Sequence, residues 1–414
     1  MKENMNENYV KTFKSDIYIM IPFKSMGHVN ISQNIECDEI AREYLNCIKE
    51  KSAYENKNVT KDLKRTFIGK NYIACLNYNY DGNVITKEPV YMFLTEHKLT
   101  GLYLLTIMNL KNKFSPTQIQ DQVTTDNIFI YDESNKMINI NDFMKNKYKL
   151  ERCGEAKTLL SLSNKPKDSL EFNCMLASET YKSFADDGHY YRLTSEEIEK
   201  ASKDNFSQYD FYEIYAYKSA VIYILKTFGD NDILNIQDEI PILFIMELIM
   251  LQSASVLRTN NEIIEQLSKG GTVSLRFIEN LYKEFGKTIR FWNKDVFKYV
   301  TVQNISSKIN EAFDTKNITE EYYKNQDFLE HIVNLRDIQD SNKESKILNI
   351  IVLILTIVQV IPIIIEFINW FFSLNIKNFG FIYWVDLSIL LLILVILLLK
   401  KRIEKKKSFY REGS

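Results

Sequence analysis

The chain has 414 residues, long enough for one large core or two medium domains. Lys plus Arg number 52 and Asp plus Glu 54, a balance that carries no electrostatic footprint of direct nucleic-acid binding. The cysteines Cys37, Cys47, Cys75, Cys153 and Cys174 form no CxxC pair and no regular spacing. They point to neither a zinc site nor a disulfide framework and suit a reducing cytosol.

The polar start MKENMNENYVKTFKSD has no apolar h-region, so no signal peptide is expected. Residues 1–193 are expected to form a cytosolic α/β domain with a mixed sheet. "DIYIMIPF" opens a β-like run, and residues 35–50 place Ile35, Ile40, Tyr44 and Ile48 at helical spacing. "YIACLNYNY" meets a turn at Asp81-Gly82. "VYMFLTE" and "LYLLTIMNL" flank another at Gly101, and residues 127–141 predict a hairpin around Ser134-Asn135.

A capping box at Thr194 and Glu197 opens a region, 194–345, expected to be helical. Its helices are placed over about 195–228, 234–269 and 272–345, with breaks at Gly229-Asp230, Gly270-Gly271 and near Asp314. "IPILFIMELIML" (240–251) is apolar enough to raise a membrane question. It falls short of the roughly 20 residues a span needs and holds Glu247, so a buried cytosolic helix is expected.

Residues 346–400 are expected to form a two-helix transmembrane domain, with spans at 347–372 and 381–399 and a short connector. From Lys346 onward nine basic residues accompany four acidic ones, leaving 43 basic and 50 acidic before it. Lys343 and Lys346 precede the first span. Lys400, Lys401, Arg402, Lys405, Lys406, Lys407 and Arg411 follow the second, and the connector has Lys377 alone. Both termini are therefore expected on the cytosolic side of the inner (cell) membrane, with the basic tail 401–414 against anionic lipid headgroups. Trp370 and Trp384 fall where an outer aromatic belt belongs.

Heptad spacing through the first span gathers its polar residues onto one seam. Phe328, Leu335, Asn342, Asn349, Thr356, Ile363 and Trp370 occupy one position; His331, Ile338, Ser345, Val352, Gln359, Glu366 and Ser373 occupy its companion. Polar groups in a membrane helix normally face a bundle interior or water. One helix cannot shelter its own stripe, so several copies of the first span are expected around an axis. The second span, apolar apart from Asp386 and Ser388, would lie outside. The pore-lining candidates are Asn349, Val352, Thr356, Gln359, Ile363, Glu366, Ser373 and Asn375, with Val352 and Ile363 as candidate hydrophobic gates. Two alternatives stay open: Asn, Thr and Gln also bond helix to helix, and Glu366 also fits headgroup level. Pro362 is expected to kink the helix.

This layout resembles the CorA family of divalent-cation transporters. The resemblance covers the whole chain in layout and rests at motif level on residues 347–407. It implies an α+β cytosolic domain, a long stalk helix continuous with the pore-lining span, a homopentameric funnel, and Mg²⁺ or another divalent cation in the pore. The family's Gly-Met-Asn signature is absent. Ser373-Leu374-Asn375 stands in its place, so only the asparagine carries over, to Asn375 as a metal contact, and the connector has a lysine and no acid. These departures weigh against selective magnesium uptake. The chain is similar to a divergent branch encoded beside type III CRISPR systems, which implies a membrane effector that opens on a nucleotide second messenger in antiviral defence.

Enzyme motifs fail. "FGKTIR" (285–290) lacks the P-loop glycine, with Leu281 in its place, and His28, His97, His189 and His331 are scattered without HExxH. Asp186, Asp187 and His189 form an exposed-loop cluster more than a metal site. Three readings follow: a ligand-gated pore, a constitutive divalent-cation transporter regulated by its own ion, and a non-conducting membrane-anchored scaffold. None is an enzyme.

Overall fold

The structure is a computed structural model that describes residues 15–27, 29, 31, 35–76, 84–111, 116–132, 134–163, 194, 196, 204–268, 275–288 and 296–373. The chain divides into two compact units, Met1–Leu329 and Glu330–Ser414.

The first unit is built on one mixed, ten-stranded sheet. Its strands are β1 (Ser15–Ser25), β2 (Leu63–Leu76), β3 (Val84–His97), β4 (Leu102–Asn109), β5 (Phe129–Tyr131), β6 (Met137–Asn139), β7 (Leu150–Arg152), β8 (Lys157–Leu162), β9 (Tyr212–Tyr217) and β10 (Ala220–Leu225). They run in the order β6-β5-β2-β3-β4-β1-β8-β10-β9, with β7 paired on the end of β1. Every pairing is antiparallel except β8 with β10.

Period-two alternation divides the apolar side chains between two faces. Tyr18, Met20, Phe93, Leu104, Leu159 and Tyr223 pack on one. Ile17, Ile19, Met92, Leu105, Leu160 and Ile222 pack on the other. Strands β1, β4, β8 and β10 are buried along most or all of their length. That double burial explains why the bodies of β1, β4 and β10 read as near-continuous apolar runs.

Helices α1 (Glu39–Glu55), α5 (Asp232–Ser268) and α7 (Val300–Ala312) supply side chains to the first face; α3 (Pro116–Thr124) and α4 (Ile140–Tyr148) supply them to the second. Helix α2 (Lys57–Thr60) is one turn, and α6 (Leu275–Thr288) follows α5. Asp38 caps α1, its carboxylate accepting from Ala41 N at 2.9 Å. Ala41, Tyr44 and Ile48 then fall on one buried face, with the Tyr44 ring 4.2 Å from that of Phe93. The hairpins expected at Gly101 and Ser134-Asn135 are present: Gly101 has φ +65°, Asn135 has φ 60°, and Asp132 closes the second by accepting from Ser134 N and Lys136 N. The turn at Asp81-Gly82 and the box at Thr194 lie outside the described residues or at their edge.

Two expectations are corrected. Residues 195–228 were expected to be helical, but Tyr212–Leu225 forms β9 and β10, a hairpin turned by Lys218 and Ser219 that extends the sheet. Tyr, Ile and Val crowd both strands, and β10 gains a buried parallel partner in β8. The expected helix over 272–345 is three helices, α6, α7 and α8 (Thr315–Ser373), and residues 296–299, just before α7, are not α-helical. The break near Asp314 is present, where Asp314 takes φ 58°.

Segment 240–251 lies inside α5, and apart from half-buried Pro241 every residue from Ile240 to Leu251 is buried. An all-round apolar helix is what a large core requires. Glu247 is accommodated there because Arg65, on β2, reaches it: Arg65 Nε donates to Glu247 Oε1 at 3.1 Å and Nη2 donates to Oε2.

Gly154, between β7 and β8, has no room for a side chain: a Cβ would stand 2.7 Å from Pro22 Cγ and 3.8 Å from Ala254 Cβ. Gly154→Ala is expected to cost about 1–3 kcal/mol through overpacking. A melting temperature equal to that of the unaltered chain would contradict this.

Candidate pore-lining segment

Helix α8 carries the candidate residues. It starts at the Asp314 corner, where Asn317 Nδ2 donates to Asp314 Oδ1 at 2.5 Å and Thr319 Oγ1 donates to the Thr315 carbonyl at 2.9 Å. Within the first unit Tyr322 is buried and Asn325 Nδ2 donates to Asn260 Oδ1 at 2.7 Å. These contacts fix the start of the helix.

The segment Glu344–Asn369 is one of two helical stretches among the described residues long and apolar enough to cross a membrane; the other is Asp232–Gln266 in α5. Burial separates them. Of the apolar window in α5, 78% is buried within the fold, whereas none of that in α8 is. Exposing Ile347, Leu348, Ile350, Ile351, Leu353, Ile354 and Leu355 to water at about 25 cal/mol per Å² is unfavourable on a scale that a lone soluble helix does not sustain.

Asn349, Val352, Thr356, Gln359, Ile363 and Glu366 all lie in this helix. At 3.6 residues per turn they share an arc of about 100°. The arc drifts steadily along the helix, which a left-handed supercoil would straighten. Thr356 and Ile363 are half-buried in the lone chain and the other four are exposed. Thr356 Oγ1 donates to the Val352 carbonyl at 2.8 Å, so its hydroxyl is satisfied within its own helix. Pro362 lies inside the helix without ending it. It has no N–H, so the Val358 carbonyl loses its ordinary helical donor. On the stalk part of the seam, His331 is exposed, and Phe328, Leu335 and Ile338 lie in α8 by position alone. Ser373 is the last residue of the helix. Asn375, the second span 381–399 with Trp384, Asp386 and Ser388, the basic tail, and the Asp186–His189 cluster lie outside the described residues.

No family model, curated protein or solved structure matches the chain.

Sequence reasoning missed two features of the first unit. One is a pair of buried carboxyls where β1 meets α5. Asp16 Oδ1 accepts from Lys111 N at 2.7 Å, and Tyr18 donates to Glu239 Oε2 at 2.5 Å. Asp16 Oδ2 finds no hydrogen-bond partner among the described residues, and the Ser161 hydroxyl is the second hydrogen-bonding group beside the Glu239 carboxyl. Burial pushes Asp16 up to about 7, with the Asp232 charge adding to it and the Lys111 contacts opposing it. Burial, with the nearby Asp16 charge, holds Glu239 well above the usual carboxylate range.

The other feature is a cavity of about 170 Å³ at the foot of α8, lined by β1, the β7–β8 connection, the β9–β10 turn, α5 and the α7–α8 corner. A length pattern gives no signal for either, because each gathers residues from distant parts of the chain.

Proposed function

We propose that this chain is one subunit of a CorA-like membrane channel, homopentameric, whose first span lines the pore and whose cytosolic unit holds the gating ligand. The observation that carries the reading is the polar arc on an otherwise apolar, wholly unburied segment of α8. A lipid-facing carboxylate is costly, and an oligomer axis is the place that removes the cost for every copy at once. The second span then forms the outer ring, and both termini lie on the cytosolic side. Mg²⁺ or another divalent cation passes along Gln359, Glu366 and Asn375, and Val352 and Ile363 close the pore when it is dry. The ligand is a nucleotide second messenger of the type III CRISPR kind, and opening the membrane is the defensive act. Continuity of α8 from the Asp314 corner to Ser373 supports a mechanical link between ligand and pore.

The test is ion flux through the full chain reconstituted in liposomes, with and without nucleotide second messengers. Flux is expected only with nucleotide. Glu366→Ala is expected to lower cation-over-anion selectivity several-fold at unchanged incorporation. Mg²⁺-selective flux without nucleotide would replace this reading with constitutive transport. No flux under any condition, with Glu366→Ala and Asn375→Ala both silent, would leave a membrane-anchored scaffold.

A further inference from the structure

The cavity at the foot of α8 has the chemistry of a small-ligand site. Helix α5 contributes Ile249, Met250, Ser253 and Leu257 to its lining, and the α7–α8 corner and first turns of α8 contribute Phe313 and Ile318. The lining joins these apolar side chains to the charged or polar groups Glu155, Lys157, Lys218, Ser253 and Asp314, and ligand pockets pair apolar walls with placed polar groups. A volume of 170 Å³ matches one ring, since a dry cavity of about 150 Å³ accepts benzene.

Lys157 supplies the polar group. Its side chain is only 8% exposed, and its ammonium donates to the Lys218 carbonyl and to Glu155 Oε2, each at 2.7 Å. The same ammonium lies 5.1 Å from the centre of the Phe313 ring. Glu155 is 65% exposed, so the carboxylate that neutralises the buried cation is itself water-accessible, and an anion taking its place would keep Lys157 paired. A hydrogen bond from Lys157, and the charges of Lys157, Lys218 and Arg152, hold the Glu155 carboxyl below its ordinary value. More than one cation therefore acts on the mouth of the cavity, while the other acid in the lining, Asp314, already accepts from Asn317.

We propose that this cavity binds a small anion bearing one ring, the ring held between the α5 face and Phe313 and the anionic group displacing Glu155 from Lys157. Phe313 and Asp314 form the corner from which α8 departs, and Ile318 is in its first turns. Occupancy therefore bears on the helix that carries the pore stripe; that consequence rests on the ligand-gated reading, whereas binding does not.

The probe is phenyl phosphate, titrated calorimetrically into the full chain in detergent. Inorganic phosphate and phenol serve as the anion alone and the ring alone, and adenosine monophosphate tests a nucleotide as the source of the chemistry. Phenyl phosphate is expected to bind saturably, at least about tenfold tighter than either fragment. Lys157→Met is expected to weaken it about tenfold or more, and Ser253→Phe, which fills the cavity from a half-buried position, to abolish it. Melting curves establish that each variant is folded, and either variant alone suffices. Phenyl phosphate binding no tighter than its fragments, or binding unchanged in a folded variant, would overturn the site. Binding lost in the variants while nucleotide-dependent flux persists supports the site and removes only its part in gating. Binding that both folded variants leave unchanged overturns the site, and nucleotide-dependent flux in the same preparations leaves the ligand-gated reading standing.

Discussion

Arg65→Met is expected to destabilise the chain by about 3–5 kcal/mol, the cost of leaving a buried charge without its partner. Glu247 is 1% exposed and Arg65 6%, and the guanidinium meets both carboxylate oxygens while Nη1 reaches Ser52 Oγ at 3.4 Å. The guanidinium also lies 6.0 Å from the Phe244 ring centre, in the middle of α5. Replacing both partners by apolar residues leaves no charge to strand, so Arg65→Met with Glu247→Met should recover most of the loss. Thermal melting of the full chain in detergent reads both variants. A single variant within about 1 kcal/mol of the unaltered chain, or a double variant no better than the single, would show that the pair does not hold α5 to the sheet.

This pair also marks where sequence reasoning stops. An apolar run interrupted by Glu247 is visible in the sequence, but its partner lies on β2, far away along the chain, and no local period connects them. The strands β1 to β4 were legible because their runs are rich in β-branched and aromatic residues and Gly101 marks the turn between β3 and β4. Strands β9 and β10 were not. Their residues, YEIYAY and AVIYIL, satisfy an apolar helix as well as a strand, and the Lys218-Ser219 turn between them contains neither Gly, Pro nor Asn. What decides their state is the pairing of β10 with β8, a tertiary contact. The stripe from Asn349 to Glu366 was legible because it is a pure period within one helix. The cavity beside Lys157 was not, since β1, β8, α5 and α8 each supply part of it.

The buried carboxyls should make stability fall as pH rises through neutrality. Asp16 keeps its proton to about pH 7 in the folded chain and releases it near 3.8 when unfolded. Between those values the folded state binds the extra proton, so stability is fully present below the lower value and is lost as pH climbs through the upper one. The shift corresponds to about 4 kcal/mol across the window, at about 1.4 kcal/mol per unit. The groups around Asp16 are Tyr18 on its own strand, Lys111 beyond β4, and Asp232 and Glu239 on α5, with Asp238 acting in turn on Glu239. Glu239 acts in the same direction, so a residual slope is expected to remain without Asp16. The depressed carboxyls Asp38, Glu43 and Glu155 act in the opposite sense but below their ordinary values, outside the interval from pH 5 to 7.5. Asp16→Asn keeps an oxygen that can accept from Lys111 N and removes the charge. Its melting temperature should therefore change less than that of the unaltered chain between pH 5 and 7.5, and its relative stability should improve steadily over the same interval. Parallel curves for the two proteins would mean that Asp16 is ionised within the fold throughout, and that the contacts with Lys111 outweigh its burial.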